Sequence, residues 1–258
     1  MIQLTASTKK LYAVIPAAGL GSRLKSSTIQ PKILTPITTT QTVWTILRQK
    51  LIGIVDHIHL IIAEENEAII RDHLQPDLDS GFVSFSIQPQ PIGMGDAIFC
   101  GYPIWSQADS ILVIWGDQVL LSTDTLIKTI EHHTTLSQAI TLPLTTINHP
   151  YVTYLFDDEQ LIHIKQSREG DDCGESGWSD VGTFALSVDG LWSAWQLFLQ
   201  QVKRGQHTHE INFLPFLPFL VNHGWQLQRI TVSDAIEARG LNTPEDLIFI
   251  KQHYENQL

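Results

Sequence analysis

Three glycine-bearing segments, each directly behind an apolar run, carry the side chains with the clearest chemical use. The first is Ala17, Ala18, Gly19, Leu20, Gly21, Ser22, Arg23 and Leu24, with Pro31-Lys32 just beyond. Glycines behind a buried strand let backbone N–H groups approach phosphate oxygens closely. Arg23 and Lys32 add full positive charges to the same segment. The pattern is not the dinucleotide fingerprint, since Leu24 stands at the third glycine position, and no Gly-Lys-Ser/Thr follows to make a P-loop. It reads as a phosphate-binding loop. The second segment is Gly116-Asp117 behind residues 110–115. A carboxylate at the tip of a central strand suits Mg²⁺ held against a triphosphate. The third runs from Gln88 to Ala97 and contains Gln90, Gly93 and Gly95. A glutamine amide offers both a donor and an acceptor, as reading a base edge requires. Gln88 and Gln90 compete for that role, and Gly93 would let a flat base pack on the backbone.

These segments need elements to position them. Residues 11–15, 57–62, 82–87 and 110–115 are apolar, β-rich runs, the first closed by Pro16 and the last by Gly116, and they read as buried strands. Helical spacing appears over 42–52, over 65–74 and from about Asp96. Strands alternating with helices predict a parallel sheet covered on both faces. In the order 3-2-1-4, the first and fourth strands are neighbours at a topological switch point, and both loops open into one crevice. The pattern then changes. Residues 138–144, 151–156 and 161–166 are strand-like, with a hairpin turn at Asp157-Asp158-Glu159, so the last two are antiparallel. Residues 168–179 read as a polar, Gly-rich loop, 180–187 as one strand, 191–202 as a helix and 225–231 as a strand. Thr243-Pro244-Glu245-Asp246 opens the last helix with an N-cap, an N1 proline and first-turn acids. The fold class is therefore α/β: a doubly wound, Rossmann-like mixed sheet with an inserted antiparallel subregion, in one domain over 1–258.

Composition narrows the function classes. Hydrophobic residues make up 43% and charged residues 17%, as in a globular chain. The net charge of −11 argues against nucleic acid or an acidic membrane as partner. Residues 1–50 nevertheless hold seven Lys/Arg and no acid, a distribution that suits a local anion site near the N-terminus and that uneven composition alone would also produce. No apolar run is long enough to span a bilayer. Two distant cysteines, Cys100 and Cys173, form neither a disulfide framework nor a zinc motif, so a cytoplasmic location is expected.

The sequence resembles the nucleotidyltransferase family that includes the sugar-1-phosphate uridylyl- and thymidylyltransferases and the sugar-acid cytidylyltransferases. The residues that carry the resemblance are Ala17–Leu24 with Pro31-Lys32, then Gln88 to Ala97, Gly116-Asp117, Ser179-Asp180-Val181-Gly182, and Arg239 to Leu247. They span residues 11 to 250. The resemblance implies a nucleotide-binding part over about 1–137 and an acceptor-binding part over about 138–258. It implies Mg²⁺ as cofactor, held by Asp117 and Asn242, while Thr243 caps the helix. It implies a nucleoside triphosphate and a phosphorylated small molecule, such as a sugar 1-phosphate, as partners. Ala17 to Ser22, Gln88, Gly93 and Asp117 would bind the nucleotide, and Arg23, Lys32 and Lys165 would serve catalysis. Lys165 fits the lysine of the sugar-side motif, with His163 or Glu169 near its glutamate position; Asp180 and Gly182 would meet the acceptor. No hexapeptide repeat follows, so a fused acetyltransferase half is not expected. Other acceptors (a molybdopterin-type cofactor, a polyol phosphate, a phosphocholine-like alcohol) and a non-catalytic nucleotide-sugar-binding regulator would use the same loop.

Several other features are expected to be structural. His207-x-His209-Glu210 reads as a solvated segment, and His132-His133 as a helix end where imidazolium suits the dipole. Trp44 and Trp195 read as core, and Trp178 as a lid residue facing substrate. The apolar stretch 211–220 reads as buried, with a subunit interface in a homo-oligomer as the alternative.

Overall fold

The computed structural model describes residues 9–19, 30–133 and 137–256. Its strands are β1 (Leu11–Pro16), β2 (His57–Ala63), β3 (Val83–Gln88), β4 (Ser110–Ile114), β5 (Ala139–Asn148), β6 (Val152–Asp157), β7 (Gln160–Gln166), β8 (Ser176–Asp180), β9 (Thr183–Ser187) and β10 (Gln226–Thr231). The helices are α1 (Val43–Leu51), α2 (Glu67–Asp79), α3 (Met94–Cys100), α4 (Tyr102–Trp105), α5 (Thr123–His133), α6 (Leu191–Gln201), α7 (Phe216–Asn222) and α8 (Pro244–Glu255). The strands of the described residues form one sheet in the order β3-β2-β1-β4-β9-β5-β8-β6-β7, with β10 beside β5. β1 to β4 are parallel, as the alternation of strands and helices requires. β9 joins β4 antiparallel, and β6, β7 and β8 build the antiparallel end.

Both faces of the sheet are covered. On one, Ala13, Ile15, Leu60 and Leu112 pack with Trp44, Leu47 and Ile250 from the helices. On the other, Val14, Ile61 and Val113 pack with Trp105, Trp195 and Phe216. Trp44 and Trp195 are core residues, and Phe213, Phe216, Leu217 and Leu220 of the apolar stretch are buried. Aromatic packing ties α3, α6 and α7 together, with Phe99 stacked on Trp195 at 4.3 Å between centroids.

Four readings of the sequence need correction. Residues 168–179 are not all loop, because Ser176–Asp180 pairs antiparallel with β5. The run 180–187 is not one strand, because Gly182 stands at φ +78° between β8 and β9. A Cβ there would lie 2.2 Å from Gln118 Cγ, so glycine is required twice over, by conformation and by space. Trp178 consequently sits on β8, opposite Thr146, and lines a separate groove with Arg229 and Glu159. His133 does end α5, but it is buried, and desolvation followed by the charge of Lys9 holds its ring at about 4. It is therefore neutral rather than the imidazolium that a helix end would favour.

His59 is buried in the same state. Its ring bonds Ser84 Oγ at 2.8 Å and Ser86 Oγ at 2.9 Å, and burial, then the charge of His57, lowers it to about 4. Both rings bind a proton more weakly in the folded chain than in the unfolded one. Their stabilising share is complete above about pH 6.5 and is lost as pH falls from there towards 4. At pH 5 each ring is expected to cost about 2 kcal/mol of stability, from ~1.4 kcal/mol per pH unit. Urea unfolding at pH 7.5 and 5.0 checks this; a His59→Asn/His133→Asn variant should flatten the difference.

Candidate active site

β1 and β4 run side by side, with Val14 level with Val113, so the segments that follow them leave the same edge of the sheet. Gly116 lets the two segments approach, since a Cβ there would lie 3.0 Å from the Pro16 carbonyl oxygen. A cleft of about 510 Å³ opens at this edge. Its walls include Ala17, Ala18, Gly19 and Lys32 from the N-terminal segment, Gln88 and Gly93 from the segment after β3, and Asp117 and Asn242. Eight of the residues singled out in the sequence therefore meet in one cleft. Leu20, Gly21, Ser22 and Arg23 lie outside the described residues.

On its wall Lys32 Nζ donates to Asp117 Oδ2 at 2.6 Å and to Asn242 Oδ1 at 3.3 Å. Each partner comes from a different part of the chain. Pro31 fixes the entry to the 3-10 turn Lys32–Leu34, whose Ile33 and Leu34 are buried and aim the lysine back at the cleft. Asp117 follows β4. Asn242 precedes α8, whose N-cap Thr243 forms a reciprocal capping box with Asp246. Asp246 Oδ2 also accepts the Asn242 N–H at 3.1 Å, and the Leu241 N–H donates to the Asp117 carbonyl at 3.1 Å. Gly240 fits between: a Cβ there would lie 3.2 Å from both Asn242 Nδ2 and Asp117 Cγ.

The fit to a metal ion can be tested on this arrangement. One carboxylate oxygen and one amide oxygen already converge on a single positive charge, the Lys32 ammonium. Both are hard oxygen donors, as Mg²⁺ prefers, and Mg²⁺ typically takes one or two protein oxygens and leaves the rest to phosphates and water. Asp117 and Asn242 fit that description. Among the described residues no group of three or more His, Cys, Asp or Glu comes together. The His207-x-His209-Glu210 segment is instead tied to the protein: the His207 N–H donates to Glu169, and Glu210 pairs with Arg168.

Gln88 is buried, and its Nε2 donates to the Gly93 carbonyl at 3.1 Å and to Asp96 Oδ2 at 2.8 Å. Both amide hydrogens are used, so Gln88 can serve a base only as an acceptor through Oε1. Gln90 is exposed and does not line the cleft. Gly93, at φ +135°, meets the chain itself rather than leaving open space. A Cβ there would lie 2.5 Å from the Ile211 backbone, and Gly95 N–H donates to the Ile211 carbonyl. The glycines thus bind the 92–95 segment to the 205–214 segment.

The acceptor-side residues divide. Lys165 lies on β7 and donates to the Asp172 carbonyl, away from the cleft wall, which Gln166 and Arg168 line instead. Strand alternation explains this: Ile164 and Gln166 share the inward face and Lys165 faces the other way. Glu169 does not line the cleft but organises it. Burial alone would raise its carboxyl. The Thr208 hydroxyl, the Asn212 amide and the N–H groups of His207 and Thr208 outweigh that and hold it at about 2. It thereby fixes the segment that carries Glu210 and Asn212 to the cleft wall. Asp180 is buried behind Trp115. Desolvation raises its carboxyl, against bonds from the Gly182 N–H and the Tyr154 hydroxyl. Asp180 and Gly182 brace the wall and do not line it. Gln166, Arg168 and Asn212 were not picked out in the sequence, and Glu210, read there as part of a solvated segment, lines the cleft. Alternation counted forward from Ile164 would have found Gln166; Arg168 lies beyond the strand, in the 3-10 turn Ser167–Glu169.

Comparison with known proteins agrees with this fold. A structure assigned as a glucose-1-phosphate thymidylyltransferase from Bacillus anthracis, in complex with a sucrose, superposes with a TM-score of 0.74. It is 17% identical and covers 94% of each chain. A 4-diphosphocytidyl-2C-methyl-D-erythritol synthase from Anaerococcus prevotii superposes with a TM-score of 0.65, at 17% identity over 96% of each chain. The fold is that of the nucleotide-diphospho-sugar transferases. Residues 13–176 match the model of the MobA-like NTP transferase domain, and the chain belongs to that family of nucleotidyltransferases. Among curated proteins, the bifunctional protein GlmU of Acidithiobacillus ferrooxidans is 27% identical over 248 residues, 95% of this chain and 52% of its own length. The GlmU protein of Mycobacterium tuberculosis is 26% identical over 242 residues, 89% of this chain and 46% of its own. The chain thus spans about half the length of these curated relatives.

Proposed function

We propose that this protein transfers a nucleoside monophosphate from a nucleoside triphosphate to the phosphate of a small acceptor, a sugar 1-phosphate, and releases pyrophosphate. The observation that carries the reading is the meeting of Lys32, Asp117 and Asn242 in a cleft that Gln166, Arg168, Glu210 and Asn212 also line. The first group suits phosphates and a metal. The second offers charged and amide groups that can hydrogen-bond a polyhydroxylated ligand. The thymidylyltransferase of the same fold is named for glucose 1-phosphate, an acceptor of the same class.

In this reading the acceptor phosphate attacks the α-phosphorus in line. A phosphate monoester is mostly ionised at neutral pH, its second pKa being about 6, so no general base is needed. Positioning and charge neutralisation do the work. The Ala17–Gly19 backbone and Lys32 hold the triphosphate, and Arg23 belongs to the same segment. Asp117 and Asn242 would hold Mg²⁺, which when bound supplies positive charge to the phosphates. Arg168 takes the place given to Lys165 and steadies the incoming phosphate.

Pyrophosphate release in Mg²⁺ tests this, scanning nucleoside triphosphates against sugar 1-phosphates and polyol phosphates, with Asp117→Ala as control. Release that requires one triphosphate and one sugar 1-phosphate, and that disappears in the control, supports the reading; release only with a non-sugar acceptor, or none, overturns it. Arg168→Ala is expected to raise the acceptor KM about tenfold or more, as for a charged hydrogen bond of ~1.5–3 kcal/mol. Lys165→Ala should leave KM near wild type; the reverse ranking would restore Lys165.

A further inference from the structure

The Asp117 loop is held from behind by groups that never reach the cleft. Lys50, in the last turn of α1, donates through Nζ to the carbonyls of Val119 at 2.5 Å and Leu121 at 2.7 Å. The Tyr254 hydroxyl of α8 donates to the same Val119 carbonyl at 2.6 Å, which uses both lone pairs of that oxygen. Glu237 is buried, with 7% of its surface exposed. Its carboxylate accepts the Ser122 N–H at 2.8 Å and the Thr125 hydroxyl at 3.0 Å. Ser122 and Thr125 open α5, where an anion is favoured by the helix dipole. Glu237 belongs to the 3-10 turn Ala235–Ala238, three residues before Gly240 and five before Asn242. The loop that carries Asp117 is therefore tied to α1, to α8 and to the strand-helix connection that carries Asn242.

A charged amine spent on two main-chain carbonyls in a desolvated place needs a reason. Burial lowers Lys50 to about 8, and the charge of Glu237 acts in the opposite direction. Leucine or methionine at position 50 would avoid that desolvation, but would leave the Leu121 carbonyl without the Lys50 donor and the Val119 carbonyl with Tyr254 alone. An unsatisfied buried acceptor costs about 1–3 kcal/mol. Relaxing the loop towards water would relieve that cost and move Asp117, only two residues from Val119.

We propose that Lys50 and Glu237 are positioning residues that lock the Asp117 loop against the Asn242 segment, so that the two side-chain oxygens stay close enough to share one cation. The proposal rests on the reading of Asp117 and Asn242 as the metal-holding pair. Lys50 acts on the first oxygen through the loop main chain, and Glu237 joins that loop to the approach to the second. Neither touches substrate.

The test is Mn²⁺ binding to the full chain, read by electron paramagnetic resonance, for wild type, Asp117→Ala, Lys50→Met, Lys50→Arg and Glu237→Gln, each checked for folding by circular dichroism. Groups that orient metal ligands change metal affinity by about 10–100-fold when lost. Lys50→Met and Glu237→Gln are each expected to weaken Mn²⁺ binding about tenfold, with Lys50→Arg recovering part of the loss because it still donates to carbonyls. In turnover assays kcat should fall at saturating acceptor while the acceptor KM holds. If Lys50→Met does not fold, Glu237→Gln and Lys50→Arg decide alone. Wild-type affinity in folded Glu237→Gln and Lys50→Met proteins, with Asp117→Ala weakened, overturns the proposal and leaves the metal pair standing. Mn²⁺ binding that is unaffected by Asp117→Ala overturns the underlying reading instead.

Discussion

Lys32→Met should lower kcat by about 10²–10³, the loss typical of one preorganised charge-stabilising donor, while changing stability by about 1 kcal/mol or less. The two magnitudes separate because the lysine does two different things. As a structural group it forms a single ion pair with Asp117, 23% and 16% exposed at the side chains, and such pairs contribute only about 0–1 kcal/mol. As a catalytic group it places full charge beside phosphates in a cleft from which water is partly excluded. Its position adds a second expectation. The ammonium bonds the same two oxygens, Asp117 Oδ2 and Asn242 Oδ1, that are assigned to the metal. Removing it should therefore strengthen Mn²⁺ binding to the nucleotide-free protein even as turnover falls. Turnover and thermal unfolding of Lys32→Met, with an Mn²⁺ titration, check all three. Near-normal kcat would remove Lys32 from the mechanism, and weakened Mn²⁺ binding would show that the lysine supports the cation site rather than competes for it.

Much of this was legible in the sequence where local pattern and chemistry coincide. The strands at 11–15, 57–62 and 110–115 are continuous apolar runs bounded by Pro, Glu or Gly, and parallel strands buried on both faces read that way. Their order put Lys32 and Asp117 in one crevice, and the structure brings them to 2.6 Å. Asn242 came from the family resemblance, which expects a metal-holding residue just before the last helix. The antiparallel end was harder. Ser176–Asp180 contains Ser, Gly and Asp, which individually disfavour a strand, and only pairing with β5 makes it one. Trp178 was read from its polar neighbours as part of a loop, and that tertiary pairing moved it to another groove.

The acceptor wall shows the deeper reason for the misses. Lys165 was carried over from a family motif by residue type, yet side-chain direction on a strand depends on parity, and a one-residue shift reverses it. Arg168 has the right charge three residues later and on the cleft side. Glu169 was placed on the acceptor side as a contact, whereas its four hydrogen-bond donors belong to residues 207, 208 and 212, some forty positions away. No local pattern announces such a partner. Glu237 and Lys50 are similar: each is an ordinary charged residue of a helical segment until the fold sets it against the Asp117 loop.

Asp117→Asn should be the most damaging isosteric change, lowering Mg²⁺-dependent turnover by about 10²–10³, since metal charge stabilisation of several kcal/mol is at stake and each ~1.4 kcal/mol is tenfold. The substitution keeps the size and one carbonyl oxygen, and the Asp117 main chain keeps its bond from the Leu241 N–H, so the loop has no reason to unfold. What changes is charge. Of the two oxygens that converge on the Lys32 ammonium, only Asp117 brings a negative charge; Asn242 brings a dipole. Two neutral amides would face a cation with partial charges alone. The Lys32 ammonium would also lose its ion pair, freeing it for phosphate, so binding of the triphosphate should suffer less than kcat. The complementary change, Asn242→Asp, adds a second carboxylate beside the first. It should tighten Mn²⁺ binding while lowering the positive charge that reaches the phosphates, so affinity rises and kcat falls. Mn²⁺ titration and pyrophosphate release on both variants separate the cases. If Asp117→Asn stays within tenfold of wild type in kcat, the carboxylate is a partner for Lys32 and not a metal ligand.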